Sequence, residues 1–334
     1  MARRKYPVPT ILHRLDDGGI LLGFSVGPDH HPEDLTEGAP HALLKSLDEG
    51  ANWFLIDVVR GRLQEAFPSW QLADGSLFGM RGAYMKHSGE AYFLEWRSRD
   101  SGRSWEGPRQ VPVNLPEGAA DPQPSVGHLM AGLGLQGGIV QLPNGDLLAQ
   151  VDGRLRGDAR GRLCLFRYSE GSGCWAYSST IADPNREGTD FNESDLLHLP
   201  DGGLLCVIRT GGGQPLYQSQ SSDGGQTWSR PTQMAVCGVR PRLRQLSNGV
   251  IACSYGRVTS PPSLGDQIIF STDGGQTWTD PTVLYHGPST GYTCMLEIRP
   301  NELLLVYDTQ CFGWVDRPGV ANAIMSVTIG VERT

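Results

Sequence analysis

The chain has 334 residues, a formal net charge of −8, 44 glycines and 23 prolines. The length allows a large buried core, and the acidic balance excludes the basic face that nucleic-acid phosphates require. So many glycines and prolines fit a protein of many turns, and no apolar run is long enough to cross a bilayer as a helix.

In chain order, Met1-Ala2-Arg3-Arg4-Lys5 is basic, but Tyr6-Pro7-Val8-Pro9 stands where a signal peptide needs an apolar run. A cytoplasmic location is therefore expected. From there the chain repeats itself. A strand–turn–strand phrase, apolar-x-x-Asp/Asn-Gly-x-Leu-Leu, is centred on Gly18, Gly75, Gly145, Gly202 and Gly249, and a copy without the glycine runs from Ile298 to Leu304. Between these phrases lies a second motif, Ser-x-Asp-x-Gly-x-x-Trp. It occupies 46–53, 98–105, 221–228 and 271–278, with a shortened copy at 169–175 that lacks the Asp. Each part suits a β-hairpin turn: Ser and Asp bond the turn's own backbone, Gly takes φ > 0, and Trp packs beneath.

The order is constant: hairpin, strand, octamer turn, last strand. A unit of roughly 50 residues repeated in this way predicts an all-β fold, a six-bladed β-propeller of four-stranded antiparallel blades. The blades fall near 7–60, 61–115, 130–183, 190–236, 238–285 and 290–325, in a single domain over 1–334. A β-sandwich would not explain so regular a repeat. The seven cysteines include no Cys-x-x-Cys pair, so buried free thiols are expected rather than disulfides or a zinc site. For His30-His31 no third ligand follows at usable spacing, and neither a metal nor a cofactor is expected.

Aligning the units on the turn glycine identifies the residues that face a central funnel. Nine positions before the turn stand Ala66, Gln136, Glu193, Arg240 and Tyr292, and the first unit, two residues longer there, offers Pro7. Seven after it stand Ser25, Gly82, Asp152, Arg209, Gly256 and Asp308. Structural positions in a β core would be Val, Ile or Leu. Charges, a tyrosine and small residues instead predict a functional pocket that holds Glu193, Arg209, Tyr292 and Asp308 together.

These residues resemble the sialidase (neuraminidase) superfamily, whose Asp boxes match the octamers. Phe191-Asn192-Glu193-Ser194-Asp195 through Leu205 is similar to its fourth blade, and Gly291-Tyr292-Thr293-Cys294 with Leu305-Val306-Tyr307-Asp308 to its sixth. The resemblance implies a tyrosine nucleophile, Tyr292, made basic by Glu193. It also implies that Arg209, sixteen residues past Glu193, grips a substrate carboxylate, and that Asp308, sixteen past Tyr292, is the accompanying acid. The proton donor falls on Asp34, in the loop Gly27 to Asp34 that also carries His31 as a substrate contact. Two family arginines are replaced: the first-blade Arg-Ile-Pro is Pro7-Val8-Pro9, and the arginine before the last Asp box falls near Leu264. Arg240 or Arg257 from the fifth blade, or Arg81 from the second, would have to compensate, with Gln136 and Asp152 completing the substrate contacts.

A phenol with a pKa of about 10 needs such a base to act as a nucleophile. Tyrosine is favoured over a carboxylate where the anomeric carbon bears a negative group. The expected partner is therefore a carbohydrate, and the expected activity that of an exo-acting retaining glycosidase on sialic acid or a related acidic sugar. Two other readings stay open. One is a polysaccharide lyase, in which Arg209 or Arg240 neutralises a uronate while Tyr292 or a residue of the histidine loop moves the proton. The other is a propeller that only binds carbohydrate or protein.

Overall fold

The computed structural model describes residues 6–27, 41–59, 69–85, 90–116, 134–155, 157–169, 171–211, 214–258, 264–309 and 323–333. Among them are 23 strands and one single-turn helix, α1 (Pro184–Glu187). The first sheet is β1 (Tyr6–Arg14), β2 (Ile20–Gly27), β3 (His41–Ser46) and β4 (Phe54–Val59), paired antiparallel in chain order. Two further runs follow: β5 (Ser69–Gln71), β6 (Leu77–Met85), β7 (Ala91–Ser98), β8 (Glu106–Asn114), then β9 (Gly134–Gln141), β10 (Leu147–Gly153), β11 (Arg162–Tyr168), β12 (Trp175–Ala182). Next come β13 (Ser194–His198), β14 (Leu204–Ile208), β15 (Pro215–Ser221), β16 (Thr232–Cys237), and then β17 (Val239–Gln245), β18 (Ile251–Gly256), β19 (Leu264–Ser271), β20 (Thr282–Pro288). The last sheet is β21 (Cys294–Arg299), β22 (Glu302–Asp308) and β23 (Ile324–Gly330).

The second strands β14 and β18 are buried at every position, because neighbouring sheets cover both of their faces. The hydrophobic clusters accordingly lie between consecutive four-strand runs. Phe93 and Val111 meet Phe166 and Trp175 in one, and Leu148 and Leu165 meet Leu196 and Leu204 in another. The ring closes where Leu12, Ile20 and Leu22 pack on Leu296, Leu304 and Val306, and where Arg14 Nη2 donates to the Ile298 carbonyl. The first strand of every run, β1, β5, β9, β13, β17 and β21, lines one central cavity. This is the β-propeller arrangement.

Both repeated turns behave as their chemistry requires. The hairpin glycines take φ of 81°, 79°, 91°, 87° and 84°, and Asn301 takes 65° in the copy without glycine. The complete octamers join third strands to fourth strands. In the octamer beginning at Ser221, the Ser221 hydroxyl accepts from Gly225 N at 2.9 Å. Asp223 accepts from the Thr227 hydroxyl at 2.6 Å and from Thr227 N and Gln226 N, both at 2.9 Å, and the hydroxyl bond first, then the backbone bonds, hold its carboxyl well below the usual range. The half-buried tryptophans also reach the preceding sheet: Trp228 Nε1 donates to Ser179 at 3.0 Å, and Trp278 Nε1 to Gln218 at 2.8 Å. The octamers thus lock neighbouring sheets together as well as closing hairpins. At Gly225 (φ 87°) an added Cβ would sit 2.4 Å from Leu165 Cδ2. Gly225→Ala is expected to destabilise the fold by at least the ~1–2 kcal/mol of a left-handed non-glycine residue, read as a shift in the urea midpoint.

Three expectations are corrected. The second and third runs form one eight-stranded sheet, because β8 pairs parallel with β12 at Val113↔Trp175 and Asn114↔Ala176. The last sheet has three strands among the described residues, and its final strand extends to Gly330 rather than ending near 325. Cys164, Cys206, Cys253 and Cys294 are buried free thiols as expected, but Cys174 and Cys237 are partly exposed. No helix among the described residues is long and apolar enough to cross a membrane.

Candidate active site

Glu193 precedes β13, Arg209 follows β14, Arg240 lies in β17 and Tyr292 precedes β21, so four neighbouring strands deliver them to one place. Glu193 is 5% exposed. Its Oε2 accepts from Arg209 Nη1 at 2.6 Å and from the Arg240 backbone N–H at 3.1 Å, and its Oε1 accepts from the Tyr292 hydroxyl. Burial raises the Glu193 pKa, but Arg240, Arg209 and the tyrosine hydrogen bond outweigh it, so the carboxyl lies below its ordinary value and is ionised at neutral pH. Tyr292 is pushed well above the usual phenol range, first by burial and then by the Glu193 charge, against the opposing pull of Arg240 and Arg257. The resting pair is a neutral phenol donating to a carboxylate. Two guanidiniums flank the phenol ring, with Arg240 Cζ 5.3 Å and Arg257 Cζ 5.7 Å from its centroid. They are placed to stabilise negative charge developing on the oxygen.

Both arginines hold left-handed backbone, φ 48° at Arg240 and 50° at Arg257. Such strain persists only where the surroundings over-determine it. The turn before Tyr292 is equally constrained. Asp308, fully buried, accepts from Thr290 N at 2.9 Å and from the Thr290 hydroxyl, which in turn accepts from Tyr292 N at 3.3 Å. Ser289 Oγ accepts from Gly291 N at 2.7 Å and donates to Asp266 Oδ1 at 2.8 Å. Arg257 Nε donates to the Thr290 carbonyl at 2.5 Å. Gly256 is small for a reason: a Cβ there would lie 2.3 Å from Gly291 Cα and 2.2 Å from Asp266 Oδ1.

Of the four residues expected to share a pocket, the structure joins Glu193, Arg209 and Tyr292 by direct hydrogen bonds, and Arg240, expected only as a compensating arginine, adds its backbone N–H. Asp308 stands behind the tyrosine, where each of its carboxylate oxygens accepts from Thr290 and so holds the turn. Asp152 ends β10, with Oδ1 buried and without a hydrogen-bond partner among the described residues. Burial and then the nearby Glu193 charge push its carboxyl up to about 7, against Arg240. Arg81 lies at a bulge of β6 and Gln136 lies in β9, both described as backbone only. Asp34 and His31 lie outside the described residues. The supports Asp266, Ser289 and Thr290 were not singled out by sequence reasoning. Their one signal is the polar run Ser289-Thr290 directly before Tyr292.

Asp266 is fully buried, and its Oδ2 has no hydrogen-bond partner among the described residues. Burial raises its carboxyl to about 8, with Asp308 adding and Ser289 and Arg257 opposing. A raised acid favours folding fully below its unfolded pKa of about 4, and that contribution is lost as pH rises towards 8. Asp266→Asn should therefore flatten the fall in stability between pH 4 and 8, as followed by urea unfolding at several pH values.

The chain belongs to the BNR repeat-like domain family, whose profile matches residues 76–302, more than half of the sequence. No curated protein sequence matches it. Its fold is shared with a protein of unknown function from Dyadobacter fermentans, at 21% identity and TM-score 0.75 over 99% of this chain and 96% of that one. The Hadza microbial sialidase Hz136 aligns at 17% identity and TM-score 0.67, over 91% of this chain and 63% of its own. The Fusarium graminearum GH93 alpha-L-arabinofuranosidase, solved with arabinobiose, aligns at 15% and 0.64, over 97% and 93%.

Proposed function

We propose that the protein is a retaining glycoside hydrolase acting from a chain end on sialic acid or a related acidic sugar, built as one domain of six blades. The reading rests on one observation: the Tyr292 hydroxyl donates to a buried, ionised carboxylate, Glu193, beneath two guanidiniums. With the phenol pKa raised and the carboxyl lowered, free tyrosinate does not accumulate. Proton transfer to Glu193 is therefore coupled to attack of Tyr292 Oη on the anomeric carbon. The leaving oxygen departs with a proton from an acid, Asp34 by family resemblance or Asp152, which retains its proton up to about pH 7. Water then cleaves the glycosyl–tyrosine bond, Glu193 returns the proton to Tyr292, and the acid is recharged.

A second reading, a neutral furanoside substrate, is favoured by the arginine pattern. Arg209 commits Nη1 to Glu193, and Pro and Leu stand where the resemblance expects the other two arginines. Release of a fluorophore from its α-sialoside, β-glucuronide and α-L-arabinofuranoside, with the first-formed anomer assigned by NMR, tests both. Release from the sialoside with retention supports the first reading, and release from the arabinofuranoside alone supports the second. Inversion, or an unsaturated uronate product, would overturn the tyrosine mechanism.

A further inference from the structure

The innermost strands do not end at Tyr292. Two residues further along them stand Asp195, Arg242 and Cys294, one layer or about 7 Å deeper in the channel by strand rise, and Arg244 follows one layer below. Here a cavity of about 490 Å³ is lined by segments of β1, β5, β9, β13, β17 and β21. Glu193, Arg209, Arg240 and Tyr292 are not among its lining residues. Its lining is distinct from that of the site above.

We propose that this chamber binds a small oxyanion, a carboxylate- or phosphate-bearing molecule held by Arg242, Arg244 and the Trp70 indole N–H. The acceptor in the wall is already engaged. Asp195 Oδ1 accepts from Leu196 N at 3.2 Å and Oδ2 from Leu243 N at 2.8 Å. Arg242 Nη1 forms an ion pair with Asp195 Oδ1 at 4.0 Å, too long for a hydrogen bond, so its donors stay available to a ligand. Arg244 Nε is buried without a partner among the described residues. The nearest carboxylate in its field, Glu297, spends Oε1 and Oε2 on the Ser247 N–H and hydroxyl and on Asn301 N. Trp70 Nε1 and Asp195 Oδ1 face the gap over Gly138, where an added Cβ would lie 3.4 Å and 2.6 Å from them, so glycine keeps the space open.

Arg242 and Arg244 bring two cations to a wall with one carboxylate, Asp195, and Arg240 above adds like-charge repulsion on Arg242. A ligand that brings acceptors and negative charge resolves both problems. A neutral polyol supplies acceptors but not the charge. The chamber's volume is within the range of small-molecule sites and holds a monosaccharide.

Titration calorimetry with inorganic phosphate, glucuronate and glucose tests the assignment on the wild type and on Arg244→Gln, Arg242→Gln and Trp70→Phe. At least one anion should bind while glucose does not, and each arginine variant should weaken binding about tenfold or more, the scale of a lost charge-assisted contact. Comparison of phosphate with glucuronate separates a free from a sugar-borne oxyanion. Trp70→Phe keeps the ring's packing, so a loss of affinity there holds even if an arginine variant fails to fold. Binding that survives Arg209→Gln separates the chamber from the Tyr292 site, whose proposed chemistry stands or falls independently. No binding by either anion, equal binding of glucose, unchanged affinity in all three chamber variants, or loss in Arg209→Gln would overturn the proposal.

Discussion

Tyr292→Phe is expected to reduce turnover by at least ~10³-fold on any substrate the wild type cleaves, the scale on which deleting a nucleophile acts. The substitution removes the attacking oxygen and the donor to Glu193 but keeps the ring between Arg240 and Arg257. Stability should change little, because Glu193 retains Arg209 and the Arg240 N–H as partners. KM should move less than kcat, since the loss falls on the bond-making step. Single-turnover kinetics alongside a thermal melt separate the two effects. Turnover retained within tenfold would remove Tyr292 from the mechanism.

Glu193→Ala should be the most damaging single change to both activity and folding. Glu193 accepts from the Arg209 guanidinium, the Arg240 N–H and the Tyr292 hydroxyl. Truncation leaves buried positive charge without its carboxylate, a change that costs about 3–5 kcal/mol in comparable settings. Glu193→Gln should separate the roles. The amide preserves shape and can accept from Arg209, so most of the stability should return while the phenol still lacks a base. A urea melt and a rate measurement on both variants check this. Equal activity of Glu193→Gln and wild type would show that Tyr292 does not need the carboxylate.

The turns made the fold legible in the sequence. Ser, Asp and Gly at fixed offsets permit few backbone paths, and Gly18 through Gly249 adopt the left-handed φ that their position demands. Register then carried Glu193, Arg209, Arg240 and Tyr292 to one end of the channel, because equivalent positions in repeated strands share a height. Polar support behind the tyrosine was not legible. Asp266 sits on β19 and acts through Ser289, a connection that depends on the close packing of Gly256 against Gly291. The bonds from Thr290 to Asp308 were not legible either, because spacing gives a carboxylate's height in the channel but not its hydrogen-bond partners. The β8–β12 pairing joins outer strands of different repeats, and no local pattern encodes it.

Ring closure bears on how the chain is made. Among the described residues the first sheet contains only N-terminal strands and the last only C-terminal ones, with no strand exchanged between them. Leu12, Ile20 and Leu22 gain their cover from Leu296, Leu304 and Val306, nearly 300 residues later in synthesis. On a ribosome adding about 5–20 residues per second, that apolar flank emerges tens of seconds before its partner does. The N-terminal sheet must therefore wait with one side bare, open to chaperones or to a neighbouring nascent chain, and a chain stopped before β21 would never cover it.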